Sequence, residues 1–229
     1  MNFLQSLKKS KHGTYPFRYW EVDSPLEEEM IKELYNAKLD DPTAHAIEYD
    51  GTRAIDGGDG KLREGIKSGG QALKFRCFIS KENETSYPKL LQLVKELQKK
   101  ETYEFLGDMI GKDLSKSYVR VEICCDRKGF WLKPHCDIKE KLMSSMLFVN
   151  RNGESEELGT DFYNEKMEKV YTVPYKDNYG YIFTTDENSW HGLDKKEIKD
   201  ERRCLQINYV TFKTDYPCLL YTSPSPRDA

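Results

Sequence analysis

The feature that most limits how this chain can fold lies after Gly111. Seven short runs rich in β-branched and aromatic residues follow in quick succession: SYVRVEICC, GFWLKPH, LMSSMLFVN, GTDFY, KVYTVPY, GYIFTTD and CLQINYVTF. Turn-forming stretches such as Asp-Arg-Lys-Gly, Asn-Arg-Asn-Gly and Asp-Asn-Tyr-Gly separate them. Many short strands with regular turns predict a sandwich or jelly roll. The texture before Gly111 differs. Ser24 and Pro25 open a predicted helix, with Ser24 as cap, Pro25 at the first helical position and Glu27 completing a capping box. Leu26, Met30, Ile31 and Leu34 form its apolar stripe. A second helix is predicted from about Tyr87 to Leu106, with Leu90, Leu91, Val94 and Leu97 inward. Helices first and strands afterwards predict a mainly β fold with N-terminal helices, the β core buttressed by helices on one face. A chain of 229 residues suits one domain. The expected domain covers residues 1–217, helical over about 1–111 and β over about 112–213. Residues 45–71 are rich in Gly and charge and read as a long loop, equally a lid over a site or a plain surface loop.

Composition narrows the partners. The net charge of −3 gives no electrostatic reason to expect a nucleic acid. No apolar run approaches the roughly 20 residues that span a bilayer, so no membrane partner is expected. The first residues lack a signal peptide's long apolar stretch, and a cytoplasmic location is the expectation. None of the six cysteines forms a Cys-x-x-Cys pair, so they read as reduced thiols, mostly small core fillers. Residues 218–229, CLLYTSPSPRDA, resemble an in-frame translation of a transposon-type sequencing adapter. They read as such a scar or as a disordered tail, and they take no part in the fold argument.

Four histidines occur: His12, His45, His135 and His191. Two fall in the β-rich half. His135 begins the run His-Cys-Asp, and on a strand positions two apart point the same way, so His135 and Asp137 can face one cavity. Two imidazoles and one carboxylate make a facial triad that leaves half an octahedral iron open. His191 is the only other histidine in this half and follows a strand-like run. The His-x-Asp pair alone is weak evidence. Its order is more telling: about fifty residues of strands lead to a second His, and a final strand then begins with arginines.

In GFWLKPHCD, NSWHGL and RRCLQINYV the chain resembles the iron(II)/2-oxoglutarate oxygenase superfamily, in its prolyl-hydroxylase-like and phytanoyl-hydroxylase-like branches. The resemblance covers about residues 118–212. It implies a double-stranded β-helix (jelly-roll, cupin-like) core, and iron held by His135, Asp137 and His191, which would also be the catalytic centre. It implies hydroxylation of a small molecule or biosynthetic intermediate, driven by O2 and by conversion of 2-oxoglutarate to succinate and CO2, with ascorbate a candidate reductant. Retention of Asp137 favours hydroxylation or another oxidation over halogenation. The resemblance also implies an arginine eleven or twelve residues after the distal His, gripping the far carboxylate of 2-oxoglutarate.

Two arginines compete for that role. Arg202 shares a strand face with Cys204, Gln206 and Asn208, which are small or polar, whereas Arg203 shares one with Leu205, Ile207 and Tyr209. A cosubstrate cavity needs the polar face, which selects Arg202. Relatives often carry a Tyr near the start of this segment. This chain has Cys124 and Cys125 there, so a second contact to 2-oxoglutarate is left open. Trp131 reads as a core residue rather than a pocket wall. Arg120 reads as a surface ion pair, with contact to an anionic substrate as the alternative. Cys136 should point away from the metal, and His12 and His45 read as exposed. Two other functions fit the same fold: a cupin-like metalloenzyme that does not use 2-oxoglutarate, and a non-catalytic jelly-roll binding module.

Overall fold

A computed structural model describes residues 3–39 and 73–211 and the backbone of a two-residue strand at 220–221. The expected loop at 45–71, His45 and Cys218 lie outside the described residues.

All seven predicted strands form. They are β4 (Tyr118–Arg127), β5 (Leu132–His135), β6 (Lys141–Val149), β7 (Thr160–Tyr163), β8 (Lys169–Val173), β9 (Tyr179–Thr184) and β11 (Glu201–Val210). Between the last two sits a three-residue strand, β10 (His191–Leu193), too short to show as a pattern in the sequence. The N-terminal part adds β1 (Lys11–Gly13), β2 (Tyr19–Asp23) and β3 (Lys74–Phe78), and β12 (Leu220–Tyr221) lies near the C-terminus. The strands form two antiparallel sheets. The larger runs β1-β2-β9-β6-β11-β4-β12, with β3 also paired to β4, and the smaller runs β5-β10-β7-β8. The fold is therefore mainly β, a jelly roll.

The helices pack on one face of the larger sheet. They are α1 (Phe3–Leu7), α2 (Glu28–Asn36), α3 (Pro88–Leu97) and α4 (Lys100–Ile110). Leu26, Met30, Ile31 and Leu34 are all buried, as are Leu90, Leu91, Val94 and Leu97. The helix ends differ from expectation. Glu27, not Ser24, sits at the N-cap of α2. Ser24 adopts a left-handed backbone and bonds the Asp23 carboxylate at 2.9 Å. The entry to α2 is fixed instead by Asn178, whose side-chain amide bonds both the N–H and the C=O of Leu26. The single expected helix from Tyr87 is broken in two, because Lys99 takes an extended conformation and caps α4. The break lets Leu97 and Leu106 both reach the core. Gly111 ends α4 at φ 74°, a conformation glycine adopts at little cost.

Two apolar layers result. One lies between helices and sheet and includes Val121, Ile123, Leu205, Ile207 and Tyr209. The other lies between the sheets and includes Cys124, Phe148, Phe162, Tyr181, Phe183 and Cys204. Strand alternation thus sorts β11 as its sequence predicts: Leu205, Ile207 and Tyr209 face the helices, and Cys204 faces the barrel interior. Among the described residues the five cysteines are free thiols, three of them buried, and no helix is long and apolar enough to cross a membrane.

Candidate metal centre

Strand pairing brings the predicted ligands together. His135 ends β5 and His191 begins β10, and the two are direct partners in the antiparallel ladder. Their ring centroids lie 4.4 Å apart. One donor atom each from His135, Asp137 and His191 can be chosen so that all lie within 4.8 Å of one another. His191 Nε2 is 4.0 Å from Asp137 Oδ2.

Each ligand is held from behind. His135 Nδ1 lies 2.9 Å from the carbonyl of Lys133, and His191 Nδ1 lies 2.9 Å from the carbonyl of Ser189. A carbonyl only accepts, so each ring donates from Nδ1, and the neutral ring then presents Nε2 as a lone pair. That fixed tautomer is the form that ligates a metal. Asp137 is not placed by strand alternation, because β5 stops at His135. Its Oδ1 accepts from Lys141 Nζ at 2.8 Å and its Oδ2 from Ser144 Oγ at 2.7 Å. Two residues of β6 therefore do what the sequence pattern assigned to β5.

Ser144 Oγ is also 2.9 Å from the Asn208 side-chain amide. One hydroxyl proton cannot serve both neighbours, and the carboxylate is the stronger acceptor. The amide then turns its NH2 to Ser144. With its oxygen there instead, Asn208 Nδ2 would be buried without an acceptor. The result is a directed relay from Asn208 through Ser144 to Asp137.

Cys136, between two ligands, bonds the Glu187 carbonyl at 3.2 Å. Burial, with help from Asp186 and Asp137, pushes its thiol up to about 11. Trp131 is half-buried rather than core, with Lys195 and Lys133 at 4.5 and 5.9 Å from its ring. His12 stacks on Trp20 at 5.0 Å. Arg120 is no surface ion pair: its partner, at 3.2 Å, is Glu122, which is buried inside the barrel.

Arg202 and Arg203 point to opposite faces. Arg203 bonds Glu201 and the carbonyls of Leu34 and Ala37, on the helix side. Arg202 is buried inside the barrel. It donates to Asp126 at 2.6 Å and to the Leu158 carbonyl at 2.5 Å, and approaches Thr160 Oγ1 at 3.5 Å. Asp126 also holds Lys74 at 3.0 Å, so one carboxylate faces two cations. Although burial opposes its charge, Asp126 holds the Arg202 guanidinium protonated well above its ordinary range. A run of side chains links it to the metal centre. Thr160 Oγ1 accepts from Tyr181 at 2.9 Å. Tyr181 stacks on Phe183 at 5.9 Å, and Phe183 meets His191 at 4.8 Å. The sequence reading missed Lys141, Ser144, Asn208, Asp126, Thr160 and Tyr181. Only the polar face of β11 hinted at one of them, Asn208.

The donor set fits iron(II). Two imidazole nitrogens and one carboxylate oxygen, each oriented by a second bond, are the donor types of a two-histidine, one-carboxylate iron(II) site.

No family model matches the chain, and no curated protein matches it in sequence. Solved structures do match in fold. A prolyl-4-hydroxylase from Pseudomonas putida is 12% identical with a TM-score of 0.54, over 91% of this chain and 96% of that one. A prolyl hydroxylase from Trichoplax adhaerens, in complex with a hypoxia-inducible-factor peptide fragment, is 11% identical with a TM-score of 0.55, over 84% of this chain and 83% of that one. At such identities the likeness is one of fold.

Proposed function

We propose that this chain is a non-haem iron(II) and 2-oxoglutarate-dependent dioxygenase that hydroxylates a small molecule or biosynthetic intermediate. One observation carries the reading: two tautomer-locked imidazoles and a doubly held carboxylate converge at one point of a jelly roll. The fold-level likeness to two prolyl hydroxylases agrees with it. Bound iron would supply the oxidising chemistry, fed by O2 and 2-oxoglutarate. His135, Asp137 and His191 would hold it on one face and leave the opposite face for reactants. Arg202 would grip the far carboxylate of 2-oxoglutarate, with the Thr160 and Tyr181 hydroxyls beside it. Asp126 and its two cations sum to one positive charge, which suits an incoming carboxylate. The aromatic lining from Phe183 to Phe162 would exclude water from the space between.

A second reading has one observation in its favour. Arg202 already has a carboxylate partner in Asp126. A cupin-like metalloenzyme without 2-oxoglutarate would use Arg202 only as a buried counter-ion. Anaerobic addition of iron(II) and 2-oxoglutarate separates the two. The oxygenase reading expects a visible charge-transfer band that is lost in His135→Ala, weakened in Arg202→Ala and kept in Arg203→Ala. Metal binding without any band in the wild-type protein would favour the second reading.

A further inference from the structure

The larger sheet lays its inward-facing residues out in rows, one residue per strand. The row level with the metal centre reads Arg120 on β4, Asn208 on β11 and Ser144 on β6, because Arg120 is the register partner of Asn208 and Asn208 that of Ser144. The row continues to Phe183 on β9, and Ser144 bonds Asp137. Building on the oxygenase reading, we propose that Arg120 anchors a carboxylate group of the substrate at the other end of this row.

The chemistry of Arg120 supports this. Its guanidinium lies against the Phe78 ring at 4.8 Å, which fixes its plane. Of its nitrogens only Nη2 meets a carboxylate among the described residues, that of Glu122 at 3.2 and 3.4 Å. Glu122 does not depend on Arg120 alone, because Arg76 approaches it at 3.8 Å. Burial by itself would raise the Glu122 pKa, yet Arg76, Arg120, Lys141 and Lys74 hold it below its ordinary value. Glu122 therefore stays charged and keeps Arg120 positioned without using up its donors. A guanidinium that gives only Nη2 to a carboxylate suits one further planar monoanion. Distance sets the size of the ligand. Arg120 lies two strands from Ser144, about 10 Å between backbones. That span fits a molecule of amino-acid size, with its carboxylate on Arg120 and its oxidised carbon over the metal.

The test uses wild type, Arg120→Gln, Arg120→Lys and the double variant Arg120→Gln/Glu122→Gln, which leaves no buried carboxylate unpaired. Each is loaded with iron(II) and 2-oxoglutarate without oxygen and titrated with acetate, acetamide or sulfate. The charge-transfer band before titration reports on the oxygenase reading alone and should form in all four proteins. The midpoint of thermal unfolding reports on the anchor, whether or not the band forms. Acetate should raise it in wild type and act at least tenfold more weakly on both Gln-containing proteins, with Arg120→Lys in between. Acetamide should do nothing, and sulfate should act more weakly than acetate. An equal acetate response in wild type and double variant, or sulfate as effective as acetate, overturns the proposal.

Discussion

At the scale of single residues, the two oxygens of Asp137 divide the work. Lys141 engages Oδ1, and Ser144 engages Oδ2, the oxygen nearer His191. Losing the Ser144 hydroxyl would free the carboxylate to rotate, and outer partners of this kind change metal affinity by about 10–100-fold. Ser144→Ala should therefore weaken iron(II) binding by about that factor, measured by competition with a coloured chelator. Its cost in stability should be only about 1 kcal/mol. Ser144→Thr, which keeps the hydroxyl, should bind nearly as wild type. Equal affinity in Ser144→Ala and wild type would mean that the relay does not position Asp137. The contrast also shows what a sequence can reveal at this scale. The grouping of His135, Asp137 and His191 was legible because histidine is rare in this chain and the order of the three is informative. Ser144 was not. A serine in a β run is ordinary, and its role comes from register with β11, a partner sixty-four positions away.

At the scale of elements, the candidate metal centre depends on the shortest interior strand. Strand β10 has three residues, yet it pairs with both β5 and β7 and presents His191 to His135. Gly192 makes this possible. A Cβ there would stand 2.6 Å from the Leu132 carbonyl and 3.1 Å from the Lys133 carbonyl. The second of these is the acceptor that orients His135. Gly192→Ala should push β10 from β5 and tilt both imidazoles. The expected result is at least a tenfold loss of iron(II) affinity, read by the same chelator competition, while far-ultraviolet circular dichroism stays that of a folded β protein. Wild-type affinity would show that the sheets absorb the methyl group elsewhere. Elements long enough to repeat a pattern were legible, as the apolar stripes of α2 and α3 show. Those set by non-local contacts were not. Neither a strand of three residues nor a helix start fixed by Asn178 leaves a local pattern.

At the scale of the whole molecule, two apolar layers share one sheet, and buried phenols join that sheet to its surroundings. Tyr209 reaches across one layer to the Leu97 carbonyl at 2.6 Å. Within the other, Tyr175 bonds the Val149 carbonyl at 2.7 Å and Tyr181 bonds Thr160 at 2.9 Å. All three are fully buried, and burial drives each phenol far above its ordinary range. The folded state thus keeps them protonated where the unfolded chain would ionise them, from the ordinary tyrosine value of about 10 upward. Their contribution to stability is fully present below that value and is lost as pH rises towards the folded-state values. Each phenol tilts the unfolding free energy by about 1.4 kcal/mol per pH unit, so the three together remove about 4 kcal/mol for each unit above 10. That is a large share of the roughly 5–15 kcal/mol that holds a domain folded. Urea unfolding at intervals from pH 8 to pH 11 should therefore show a fall that begins near pH 9, where the raised Cys125 and Cys136 thiols contribute, and steepens near pH 10. In Tyr209→Phe the same fall should be shallower by the share of one phenol, about 1.4 kcal/mol per pH unit, even though that variant starts about 1 kcal/mol less stable from the lost hydrogen bond. An unchanged slope in the variant would mean that the Tyr209 phenol ionises in place, and that the layer beneath α3 admits water before the molecule unfolds.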